Sequence, residues 1–268
     1  MPLLELQDAS INYQVEGEGP PVTLLHGFTQ DLHSWDELIS LLPRRWRWIR
    51  VDLRGHGGSR LLPGAQVTMD SCHADLTSLW RRLGVRETHL VGYSLGGRLA
   101  LHVASRDTLP LLSLTTIGAH AGMDEADRPA RRAADEALAR RLESEPIEWF
   151  VDYWAGLPMF AGQRRRGDEF VGWVRRQRLQ NDPTGLAACL RGMGGGAMEP
   201  VWSRLPQVSC RGLFIAGALD SRYVDYARQL AAAVPHGREA IVDDAGHAVH
   251  LEQPAAVALL LADHLSTR

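Results

Sequence analysis

The sequence predicts an α/β domain: a mostly parallel central sheet flanked by helices, with one helical cap insertion. Three observations predict it. Short apolar runs that read as buried strands alternate with helix-length amphipathic segments, the runs hand over to polar or glycine-bearing loops, and the alternation stops between residues 119 and 202 before resuming. At 268 residues and 45% hydrophobic content, the chain is long enough for one large domain with a substantial core.

Residues 22–25 form an apolar run ending at His26-Gly27, and residues 48–51 form another, ending at Asp52 and the glycine-rich stretch RGHGGS at 54–59. Both read as buried strands. Residues 70–83 carry Cys72, Leu76, Leu79, Trp80 and Leu83 at helical spacing and stop at Gly84, a C-cap. A strand follows at 88–91, then Gly-Tyr-Ser-Leu-Gly at 92–96, a helix from 95 to about 105 and a strand at 111–118. This alternation implies a parallel sheet covered on both faces. From 119 to 202 arginine, alanine and glutamate dominate and helical periodicity replaces the strand signal. That stretch is expected to be the cap, with 1–118 and 203–268 as the core. The rhythm resumes with a strand at 211–217, a helix near 223–233, a strand at 240–242 and a last helix at 254–264. The run GMGGG at 192–196 lacks the Lys-Ser/Thr of a phosphate loop and follows helix, so it reads as a flexible connection.

A net charge of −3 leaves no excess of positive charge to neutralise phosphates, which argues against a nucleic-acid partner. Arginines cluster at 44–47, 128–141 and 164–178, so a basic pocket for a small anionic substrate stays open. Cys72, Cys189 and Cys210 are odd in number and widely spaced, which suggests neither a disulfide framework nor a zinc site. They read as reduced core residues. Residues 1–10 lack the features of a signal peptide, and no apolar run approaches membrane-spanning length. The expectation is a cytoplasmic protein with no membrane partner, no cofactor and no metal, monomeric or a weak homo-oligomer.

The G-x-S-x-G pattern at 92–96 places Ser94 on a tight strand-to-helix turn, where glycines relieve crowding and the hydroxyl stands clear at the sheet edge. A serine hydroxyl is a poor nucleophile or base near neutral pH. It needs an imidazole to take its proton and a carboxylate to fix that imidazole's tautomer. Asp220, in AGALDSRY past the strand 211–217, and His247, in DDAGHAVH past the strand 240–242, fall on loops at the same sheet edge. His250 lies where the final helix is about to begin, and Asp243 and Asp244 stand too close in sequence to reach the histidine's far nitrogen easily. Asp220 and His247 are therefore preferred. A developing oxyanion needs preset donors, normally two backbone N–H groups. Leu95 offers one, and Phe28 the other if the strand 22–25 neighbours the strand before Ser94.

The combination of LLHGF at 24–28, VDLRGHGGS at 51–59, GYSLGGR at 92–98 and AGHAVHLEQP at 245–254 resembles the α/β-hydrolase superfamily over essentially the whole chain. That superfamily orders its triad as serine, acid, histidine. Its fold hosts esterases, dehalogenases, lyases and C–C hydrolases, so the reaction must be read elsewhere. Four features resemble one branch, the 2-succinyl-6-hydroxy-2,4-cyclohexadiene-1-carboxylate synthases of menaquinone biosynthesis. They are Tyr93 before the serine, Arg98 four residues after it, EPIEWFVDYWAGLPMF at 145–160, and RLQNDPTGLAACLRGMGGGAMEP at 178–200.

The resemblance implies a lyase that eliminates pyruvate from 2-succinyl-5-enolpyruvyl-6-hydroxy-3-cyclohexene-1-carboxylate. Ser94 would abstract the proton, His247 relay it and Asp220 orient the imidazole, while the Phe28 and Leu95 amides hold the enolate oxygen. Arg98, Arg131 and Arg178, with Tyr93 and Trp154, would bind the polycarboxylate substrate. Arginine suits carboxylates because its planar fork donates two parallel hydrogen bonds and stays charged when desolvated. Arg98 also lies one helical turn from Ser94, on the same face. Two other readings use the same residues: a carboxylesterase or thioesterase working through an acyl-enzyme, and a non-catalytic α/β-hydrolase whose pocket only binds a ligand. Where the family often carries methionine this chain has Leu95, which leaves the backbone donor intact.

Overall fold

The computed structural model describes residues 2–106 and 109–266. In chain order they form β1 (Leu3–Glu5), β2 (Ala9–Glu16), β3 (Pro21–Leu25), α1 (Asp36–Ser40), β4 (Arg47–Val51), β5 (Arg60–Leu61), α2 (Met69–Arg82), β6 (Thr88–Tyr93), α3 (Leu95–Ala104) and β7 (Leu111–Ile117). Four helices follow: α4 (Arg128–Ser144), α5 (Ile147–Ala155), α6 (Asp168–Leu179) and α7 (Pro183–Met193). The chain then returns to the sheet with β8 (Arg211–Gly217), α8 (Ser221–Ala233), β9 (Gly237–Val242), α9 (Val249–Glu252) and α10 (Pro254–Ser266).

The strands make one sheet in the order β1-β2-β4-β3-β6-β7-β8-β9, with β5 paired to β2. From β4 to β9 every neighbour is parallel. The N-terminal pairings are antiparallel. β1, β2 and β5 are absent from the expected set, and Asn12 shows why β2 escaped notice. It breaks the apolar run at a buried position, satisfied there by donating from Nδ2 to Asp52 Oδ2 at 2.7 Å.

Apolar layers cover both faces of the sheet. One contains Leu76, Leu79, Trp80, Leu99 and Phe214, and the other Trp35, Leu38, Ile215, Val257 and Leu261. Each of these fully buried side chains contributes about 2 kcal/mol relative to exposure. Local signals set the helix ends. A reciprocal capping box between Thr68 and Ser71 starts α2, which ends before Gly84 at φ 67°. Asp182 starts α7 by accepting from the Thr184 and Gly185 amides, with Pro183 in the first turn.

The glycine run after α7 is not a flexible connection. Residues 193–196 are buried, and a Cβ on Gly194 would lie 2.4 Å from Asp135 Oδ2, while one on Gly196 would lie 2.7 Å from the Arg128 carbonyl. Glycine is required because two cap segments pack backbone to backbone there. The three cysteines are free, with Cys72 and Cys189 buried. No helix among the described residues is long and apolar enough to cross a membrane.

Candidate active site

The parallel strands β3, β6, β7, β8 and β9 all end at one edge of the sheet, which places their following loops side by side. Ser94 follows β6 at φ 48° and ψ −106°, a conformation that L-residues rarely adopt. The turn closes only because its glycines lack side chains. A Cβ on Gly92 would sit 2.2 Å from the Gly96 carbonyl oxygen, and one on Gly96 would sit 2.2 Å from that of Leu25.

Ser94 Oγ lies 2.9 Å from His247 Nε2, and His247 Nδ1 lies 2.8 Å from Asp220 Oδ2. With the proton of the neutral ring on Nδ1, donating to Asp220, Nε2 is free to accept from the serine hydroxyl. His247 is buried and its amide donates to the Met159 carbonyl at 3.2 Å, so a cap segment touches the histidine loop. Buried Glu252 holds the same loop from the core. It accepts from the amides on either side of His247, Gly246 at 2.8 Å and Ala248 at 3.2 Å, while burial raises its pKa.

β3 pairs with β6, bringing Phe28 beside Leu95 at the elbow. Among the described residues neither amide is taken up by a loop or turn hydrogen bond. Both remain available to an oxyanion. Supports fix the Phe28 loop. His26 Nε2 accepts from the Leu53 amide at 3.0 Å, so Nδ1 carries the proton and donates to the Gly27 carbonyl at 2.8 Å. Burial pushes His26 down to about 4 and keeps it neutral. From the cap, Asn181 donates to the Thr29 carbonyl at 3.0 Å and accepts from the Gly57 amide at 3.2 Å, and Gln177 donates to Asp31 at 2.8 Å.

A cavity of about 320 Å³ opens over the serine. Phe28, Tyr93, Leu95, Arg98, Arg131, Trp154 and His247 line it with Ser94. Arg98 donates from Nη1 to the Met193 carbonyl at 2.8 Å, and burial lowers its pKa. Arg131 is more exposed and already paired, its Nε donating to Asp135 Oδ1 at 2.9 Å. Trp154 packs on Phe28 and Phe150 with ring centroids 5.2 and 5.6 Å away. Arg178 is not on the cavity wall. It is buried with its guanidinium over the Phe160 ring, 5.1 Å from that ring's centroid, its Nε has no hydrogen-bond partner, and burial lowers it to about 10. Among the described residues no group of three or more His, Cys, Asp and Glu side chains is arranged to hold a metal.

Comparison with known proteins agrees with this architecture. The α/β-hydrolase fold family matches residues 20–254. This chain belongs to the α/β-hydrolase family. A 2-succinyl-6-hydroxy-2,4-cyclohexadiene-1-carboxylate synthase from Klebsiella pneumoniae is 30% identical over 249 residues, covering 92% of this chain and 94% of its own. The solved structure of MenH from S. aureus superposes with a TM-score of 0.91 at 28% identity, over 97% of this chain and 98% of that one. A malate-bound esterase from Thermogutta terrifontis reaches a TM-score of 0.86 at 26% identity, over 99% and 98% of the two chains.

Among the polar groups of this α/β-hydrolase cavity that escaped sequence reasoning are His120, Asp135, Tyr153 and Tyr223. Tyr223 had a usable signal, because it stands three residues after Asp220 in the first turn of α8, and its ring packs 4.4 Å from His247. His120 follows the end of β7 at the same sheet edge. Met159 and Phe160 also line the cavity, from a cap segment whose sequence carries no catalytic pattern.

Proposed function

We propose that this enzyme is a carbon–oxygen lyase that eliminates pyruvate from 2-succinyl-5-enolpyruvyl-6-hydroxy-3-cyclohexene-1-carboxylate, giving 2-succinyl-6-hydroxy-2,4-cyclohexadiene-1-carboxylate for menaquinone biosynthesis. His247 takes the Ser94 proton and Asp220 stabilises the resulting imidazolium. The serine oxygen removes the proton α to the succinyl ketone, and the electron pair moves onto the ketone oxygen, held by the Phe28 and Leu95 amides. Collapse of that enolate forms a ring double bond at the deprotonated carbon, shifts the existing ring double bond by one position and breaks the C–O bond to the enolpyruvyl group. The departing enolate takes a proton and leaves as pyruvate. That proton comes from His247, while Ser94 keeps the one drawn from the substrate, so both residues return to their starting states and no ester to the enzyme forms.

The observation that carries this reading is Arg98. It lines the cavity one helical turn from Ser94, and its guanidinium is bonded to a backbone carbonyl and to no carboxylate among the described residues. A desolvated cation without a counter-ion favours an anionic ligand. Tyr93, Trp154 and the Asp135-paired Arg131 share this cavity wall, and Arg178 lies outside it, which leaves Arg98 as the cation for a carboxylate. The relatives' names point the same way.

The test is release of pyruvate from the enolpyruvyl substrate by purified protein. Arg98→Ala is expected to lower kcat/KM by about 10- to 150-fold, the loss of a hydrogen bond to a charged group, while sparing a short neutral ester. Hydrolysis of p-nitrophenyl esters without pyruvate release would instead establish the esterase reading, which the likeness to the Thermogutta terrifontis enzyme favours.

A further inference from the structure

His120 and Tyr223 have no role in the reaction just described, yet both face the cavity that holds Ser94. His120 Nδ1 accepts a hydrogen bond from the Gly122 amide at 3.1 Å, which leaves the proton of a neutral ring on Nε2. His120 is only 7% exposed, and neither its Nε2 nor the Tyr223 hydroxyl has a hydrogen-bond partner among the described residues. The two rings lie 6.4 Å apart, and Tyr223 packs on His247. Burial is the first cause that pushes His120 down to about 3 and raises Tyr223, so both are neutral donors. In each case Arg98 is the charge that acts most strongly on the ring.

Among the described residues this wall therefore combines one cation without a carboxylate partner, Arg98, with the two neutral donors, since Asp135 already pairs with Arg131. We propose that His120 and Tyr223 form, with Arg98, a subsite that grips one carboxylate of the substrate and selects it over neutral or phosphorylated compounds. Arg98 supplies the charge, and His120 Nε2–H and the Tyr223 hydroxyl fill remaining lone pairs of the carboxylate oxygens. A phosphate dianion would meet one charge only, whereas a carboxylate is matched in charge. A neutral ester would leave the donors unpaired, which is unfavourable in a buried wall. The subsite rests on the lyase reading and specifies which residues choose its substrate.

Three variants test it: His120→Ala, His120→Asn, which keeps an N–H donor, and Tyr223→Phe, which keeps the ring packing on His247. His120→Ala and Tyr223→Phe are each expected to raise KM for pyruvate release about tenfold with kcat changed less than about threefold, and His120→Asn to recover most of the loss. Malate, read by quenching of tryptophan fluorescence with Trp154 in the cavity wall, probes the subsite independently of turnover. Its Kd is expected to rise about tenfold in the same two variants. Unchanged KM and unchanged malate affinity in both would overturn the subsite while leaving the lyase intact. Malate binding that both variants weaken, in a protein that releases no pyruvate, would keep the subsite and remove the lyase reading. A wild-type protein that neither binds malate nor releases pyruvate overturns both.

Discussion

Ser94 carries the clearest cost in the molecule. Its backbone conformation is unfavourable by about 1–3 kcal/mol, and the surrounding turn holds it there so that Oγ points at His247. The same logic applies to Asp220, whose carboxylate accepts from His247 Nδ1 and thereby decides which ring nitrogen faces the serine. Asp220→Asn is expected to lower kcat by at least about 10²-fold with little change in thermal midpoint, because the volume is kept and only the acceptor is lost. Turnover equal to wild type in a steady-state assay would show that the imidazole is oriented by something else. Ser94, Asp220 and His247 were legible in the sequence because each follows a recognisable strand at one sheet edge. Tyr223 was legible only through its place three residues after Asp220, and His120 was less legible still, since nothing local distinguishes a cavity-facing ring from a packed one. Arg178 shows the converse: the resemblance nominated it, and it is buried against Phe160 without lining the cavity.

At the level of elements, the corner between α6 and α7 ties cap to core. Asn181 spans the loops after β3 and β4, and Gln177 reaches Asp31. Close backbone approach adds to this, because a Cβ on Gly55 would lie 2.4 Å from the Gly185 carbonyl oxygen. Asn181→Ala leaves the Thr29 carbonyl and the Gly57 amide without their partner, at a cost of about 1–3 kcal/mol. The loop carrying the Phe28 amide is loosened with it. The expected result is a lower thermal midpoint together with a lower kcat, and a drop in midpoint alone would separate the corner from the oxyanion donors. The core helices and the parallel strands followed from periodicity and capping residues, as α2, which ends before the expected C-cap Gly84, illustrates. The packing of the glycine run after α7 did not, because its partners, Asp135 and Arg128, are distant in sequence.

For the molecule as a whole, buried histidines set the response to acid. Burial is the first cause that holds His26, His89, His102 and His264 at about 4, and His56, His120 and His250 at about 3. The unfolded chain protonates them near pH 6.5, so it binds more protons than the native chain below that value. Their contribution to stability is complete above pH 6.5 and is lost as pH falls toward 4, by about 1.4 kcal/mol per histidine per pH unit. Asp31, pushed up to about 6 by burial first and by Asp52 second, has the opposite sign and offsets a small part. The thermal midpoint is expected to drop by more than about 10 °C between pH 7.5 and 5.5. A midpoint flat over that range would mean that these rings become charged inside the fold. The sequence by itself determined the parallel α/β core, the serine turn and the order of the triad, because these depend on short-range periodicity and on residues that must follow strands. Only the tertiary structure decided which arginines face the cavity, how the cap grips the oxyanion loop and which neutral donors share the wall with Arg98. Those depend on contacts between residues far apart in the chain, and local pattern carries no record of such distances.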